Sequence, residues 1–199
     1  MAGLSPTTPF GVQNSTASSS GSEVVRQQLC RTRLKWAAQW LSKSSDVRCC
    51  LSDDTWLTEQ IVRAQAREVR GDREGARAVY AELWDAALHT PDQYRACVVA
   101  HFMAHAQSEP EAQLVWHLRA LRAADAALAS GDERVRSFYP SLHANLGDVY
   151  LRQGDRTSAR QHIQWAQVVQ NTLSDDAYGH TVRALIVRLA DAIEHDHPA

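Results

Sequence analysis

His101 and His105 stand four residues apart, which on a helix puts two imidazoles one turn apart on one face, the spacing of a divalent-metal pair. Cys97 extends the stripe but cannot share an ion with both. At 1.5 Å per residue its Cα lies about 12 Å from that of His105, against ligand bonds near 2 Å. Position 102 is Phe, so the glutamate base of an HExxH metalloprotease is missing. A zinc site would need a third ligand from another helix, such as His117 or His143, and no resident metal or cofactor is expected. No nucleophile elbow, phosphate-binding glycine loop or dinucleotide fingerprint occurs. Asp53-Asp54 and Asp175-Asp176 are adjacent carboxylates, yet both sit where a helix N-terminus wants negative charge. The chain is read as a non-enzyme.

Composition narrows the partners. Twenty-one basic and twenty-three acidic side chains leave a formal charge of −2. Nucleic acid is not expected, because phosphate neutralisation needs a clustered positive face. Only Lys35 and Lys43 are lysines, which with the alanine-rich segments suggests a high-GC bacterial genome. Cys30, Cys49, Cys50 and Cys97 make neither a CxxC pair nor a secretory framework, so reduced thiols and a cytoplasmic location are expected. No run reaches membrane-span length, and no signal peptide is read at the N-terminus.

These residues must be positioned by helices. Residues 1–22 are rich in Ser, Thr, Gly and Pro, carry no charged side chain and are expected to be disordered. Residues 23–50 read as a basic amphipathic helix and linker, with Val25, Leu29, Trp36 and Trp40 near one face beside Arg26, Arg31, Arg33 and Lys35. Such a helix packs loosely on the rest, or docks on a membrane or partner. A translation start near Ser52 is the third possibility. From there the punctuation predicts helices over about 53–70, 72–88, 91–107, 110–130, 140–153, 155–173 and 176–194. Thr90-Pro91-Asp92-Gln93 and Ser108-Glu109-Pro110-Glu111 read as capping boxes with proline at the first helical position. Nothing in this half alternates with period two, so strands are not expected.

The helices repeat. Gly71-Asp72-Arg73 with Ala76-Arg77 returns eighty-three residues later as Gly154-Asp155-Arg156 with Ala159-Arg160. Small residues twelve apart mark three hairpins: Ala64 with Ala76, Ala100 with Ala112, and Gly147 with Ala159. A bulky residue follows four positions on, as Tyr80, Trp116 and Ile163. A helix-interior Gly147 costs roughly 1 kcal/mol against Ala, so another helix is expected to pass close by. Leu146-Gly147-x-x-Tyr150 with Gly154, Ala159 and Ala166 resembles a tetratricopeptide repeat, and the resemblance spans about 53–173. Gln107 replaces the turn glycine in the middle copy, and Gly131 to Tyr139 is an insertion that breaks regular stacking.

The resemblance implies an all-α fold, an α-solenoid of about three hairpins with a C-terminal capping helix, over residues 51–199. It also implies an adaptor or scaffold that binds a protein or peptide on its concave face. Carried onto this chain, that face presents Tyr94, Cys97, His101 and His105 from the middle hairpin, and Ser141, Asp148 and Arg152 from the last. Arg122 falls on the outer face. The alternative is a metal- or small-molecule-responsive sensor using the groove at His101 and His105.

Overall fold

A computed structural model describes residues 51–195. The expectations for residues 1–50 therefore lie outside the described residues. Seven α-helices follow one another: α1 (Leu51–Val69), α2 (Arg73–Leu88), α3 (Gln93–Ala106), α4 (Pro110–Ala129), α5 (Tyr139–Arg152), α6 (Arg156–Val169) and α7 (Ala177–His195). Two 3₁₀ segments, Glu133–Phe138 and Gln170–Thr172, precede α5 and follow α6. Among the described residues no strand occurs, and the fold is all-α. No described helix is long and apolar enough to cross a membrane.

A single device makes three of the junctions. Gly71, Gly131 and Gly154 adopt φ of 85°, 87° and 81°, the left-handed conformation that glycine takes without a Cβ penalty. Each lets the chain fold back onto the helix it leaves. Asp155 donates its backbone N–H to the Tyr150 carbonyl and Gly154 donates to Leu151, a paired C-terminal cap that Asp72/Gly71 and Asp132/Gly131 repeat. The aspartate then turns acceptor for the next helix, taking the backbone N–H of Gly75, Arg134 or Ser158. The Gly131 copy lies inside the segment read as an insertion. There it launches the 3₁₀ turn instead of an α-helix.

The expected capping boxes are corrected. Thr90 donates its hydroxyl to the Ala87 carbonyl, closing α2, while Asp92 accepts from Arg95 N–H and starts α3 at Gln93. Pro91 thus precedes the helix. Pro110 does occupy the first turn of α4, but Glu109 makes no side-chain cap. Asp is the better cap because its short carboxylate reaches the first-turn N–H groups directly.

Consecutive helices are in contact, from α1 on α2 through α5 on α6, and of these connections all but α4–α5 are three or four residues long. α7 closes the end against both α5 and α6. Two apolar cores result. The first runs from Leu57 to Leu142 and takes Val135 and Phe138 from the 3₁₀ turn. The second runs from Ala144 to Ile193. They meet on α5, and Tyr178 of α7 packs against both. The 3₁₀ turn wedges among α3, α4 and α5 at this meeting point. Arg156 anchors the far end by donating to the Ile193 carbonyl at 2.7 Å, and Arg183 donates to Leu173 at 2.8 Å.

Gly147 has the neighbour its type implied. A Cβ there would lie 2.7 Å from Ile163 Cδ1 and 3.4 Å from the Ala159 carbonyl oxygen. The twelve-residue pair therefore marks a close α5–α6 crossing.

Candidate functional site

The residues expected on one binding face divide into buried and accessible groups. Tyr94, Cys97, His101 and Ser141 are buried. Tyr94 meets Phe138 edge-on, with the Arg134 guanidinium 4.0 Å from its ring centroid. Ser141 donates to the Phe138 carbonyl. Burial drives the Cys97 thiol far above its ordinary pKa, so it holds its proton and acts as a small apolar group. His105 is half-buried, while Asp148 and Arg152 keep more than a third of their side chains exposed. Arg152 pairs with Asp148 at 3.0 Å and donates to Gln113 Oε1 at 2.6 Å, tying α5 to α4. The first four residues thus hold helices together instead of lining an open face.

α3 explains the burial. After Gln93 and Tyr94 it carries one strong base, Arg95, and otherwise small, apolar or imidazole side chains. A helix apolar all round belongs in a core, and α2, α4 and the 3₁₀ turn enclose it.

His117 of α4 does join the pair on α3. The ring centroids of His101 and His105 are 4.9 Å apart, those of His105 and His117 5.2 Å, and those of His101 and His117 6.3 Å. The rings meet edge to face. His101 also lies edge-on to Phe102 and Phe138. Among the described residues, however, no three His, Cys, Asp or Glu side chains are arranged to hold a metal ion.

A second imidazole group lies between α5 and α6. His143 Nδ1 and His162 Nδ1 are 3.0 Å apart, so one ring carries its proton there and donates to the other. The Tyr150 ring stacks on His162 at 5.4 Å, and Trp165 lies against both imidazoles. Tyr139 sits 6.1 Å from His143 and donates its hydroxyl to Asp125 Oδ1 at 2.7 Å. Burial first, and the His162 neighbour second, push His143 down to about pKa 4, against a weaker opposing pull from Asp125. Burial lowers His162 as well. Both rings are neutral at neutral pH. Sequence reading named His143 only as a spare metal ligand, because its partner is nineteen residues away on another helix.

An open groove lies elsewhere among the described residues. Trp84, Ala87 and Leu88 of α2, Gln93 and Ala96 of α3, and Arg119, Arg122 and Ala123 of α4 line this groove of about 250 Å³. At about 100° per residue, Ala96 and His101 point roughly 140° apart on α3, so this groove lies away from the histidines. Trp84 and Trp116 meet edge-on at 5.2 Å. The Arg119 guanidinium lies 4.3 Å from the Trp116 centroid and 5.9 Å from that of Trp84. Leu88 stands at the groove edge, 60% exposed. Arg122 is exposed, as expected, but it borders this groove instead of a featureless outer face. The Trp116–Arg119 contact was legible as an i,i+3 pair, whereas Trp84 arrives only through helix packing. Comparison of the chain with family models, with curated proteins and with solved structures finds no match.

Proposed function

We propose that this chain is a non-catalytic helical-hairpin adaptor, similar in plan to a tetratricopeptide-repeat module, that binds a peptide segment of a protein partner. The observation that carries the reading is the α2/α3/α4 groove, where an exposed leucine, a half-buried tryptophan and two arginines surround an apolar floor. Tryptophan and arginine are the residue types in which interface binding energy concentrates. The volume of about 250 Å³ falls below the roughly 300–1,000 Å³ of typical small-molecule sites and suits side chains of a docked segment. The repeated hairpins supply a rigid frame, so the groove is formed before the partner arrives and little ordering entropy opposes binding.

Photo-crosslinking in the cell of origin tests this. A photoreactive residue at Leu88 should give discrete protein adducts, and one at Val187, an exposed position on α7, should not. Equal labelling from both sites would defeat the proposal. Adducts from position 152 alone would move binding to the α4–α5 face that carries Asp148 and Arg152.

A further inference from the structure

Building on the peptide-binding reading of this groove, we propose that the segment it takes is acidic, presenting Asp or Glu side chains beside a bulky apolar anchor. Arg119 and Arg122 stand three residues apart on the exposed side of α4 and both line the groove. The eight lining residues include no carboxylate. Among the described residues neither guanidinium makes an ion pair, unlike Arg67, Arg95, Arg134, Arg136 and Arg152. Two like charges one helical turn apart repel, and an anionic partner relieves that repulsion.

The geometry of Arg119 sharpens the match. Lying over the Trp116 indole, the guanidinium is held in place with its N–H edge free, the edge that meets a carboxylate with two parallel hydrogen bonds. The apolar anchor fits between Trp84, Leu88 and Ala96. Other occupants suit the groove less well. The chain's own segment 23–42 offers Arg26, Arg31, Arg33 and Lys35 against Glu23 alone, the wrong sign. A second copy docked through the same groove would set four guanidiniums against one another. A nucleic-acid strand needs a continuous basic track, and the groove offers only Arg119 and Arg122.

The test pans a random short-peptide library on the full chain, with a Leu88→Glu variant as the groove-blocked control. Selected peptides should be enriched in Asp and Glu around Leu, Phe or Trp. A synthetic copy should bind about tenfold or more weakly to the Arg119→Gln/Arg122→Gln double variant, as expected for lost charge-assisted hydrogen bonds. Affinity should also fall as salt rises, and replacing the acids by lysine should abolish it. Both variants alter exposed positions, and a thermal melt confirms that each folds. Neutral or basic selected peptides that still need Leu88 would overturn the acidic assignment while leaving the peptide-binding reading intact. No enrichment over the Leu88→Glu control would remove that reading, and this inference with it. Two further results would overturn it by naming another occupant. One is tighter binding of single-stranded oligonucleotide, lost in the double variant. The other is concentration-dependent self-association, lost in Leu88→Glu.

Discussion

α3 and α6 are both fourteen residues long, yet eleven residues of α3 are buried and only four of α6. Each belongs to a hairpin marked by a small-residue pair twelve apart, and each contributes to an imidazole cluster. On α3 the helix is enclosed on several sides, so His101 and its neighbours are sealed among aromatic rings. On α6 one face packs on α5 and α7 and the other meets solvent, so the buried His162 lies beside the 45%-exposed Trp165. Alike in small-residue spacing, the two helices differ in burial. How many neighbours a helix has then decides whether its polar residues bind outward or brace inward.

The largest expected effect falls on the middle hairpin. Tyr94→Ala removes a ring packed on Phe138 and beneath Arg134, and should cost about 3 kcal/mol or more in urea denaturation, the range for deleting a buried aromatic. A melt unchanged by the substitution would show that Tyr94 faces solvent and that the two hairpins are alike after all. Next comes the last hairpin, where Gly147→Leu should cost more than about 2 kcal/mol because Ile163 and the Ala159 backbone occupy the space. Adding Ile163→Ala should return part of that loss. If it returns none, the clash is not at this crossing.

The histidine pair gives a pH-dependent contrast. The folded state holds His143 down to about pKa 4 against an ordinary 6.5, so the unfolded chain binds the proton first. Its neutral form supports full stability above pH 6.5, and stability falls as pH drops from there toward 4. The melting temperature of His143→Gln should therefore change less with pH over that window than that of the parent chain. An unchanged pH profile would mean that this pair does not contribute. Smallest of all, Arg152→Ala removes a largely exposed ion pair and should cost less than about 1 kcal/mol. A larger loss would mean that the Gln113 bond clamps the two hairpins together.

The helices themselves were legible in the chain. Glycine at a left-handed junction with aspartate one residue on is a local instruction, and it placed the starts of α2 and α6 within a residue, as Pro140 and Ser174-Asp175 did those of α5 and α7. The cap of α3 was misread because Thr90 and Asp92 are both good cap residues, and backbone geometry chooses between them. The third Gly-Asp junction at Gly131 was visible, but its 3₁₀ continuation depended on fitting Val135 and Phe138 into the first core.

Site residues were less legible, for a physical reason. A helical wheel orders side chains around one axis but does not state how many neighbours surround that axis. By itself the sequence determined the seven helices of the described residues, the glycine junctions at Gly71 and Gly154 and the close crossing at Gly147, because turn chemistry and side-chain size act over a few residues. Only the tertiary structure decided that Tyr94, Cys97, His101 and Ser141 are buried, that His143 meets His162, and that Trp84 joins Arg119 across a groove. Those outcomes come from contacts between helices, where burial and dielectric are set by every neighbour at once.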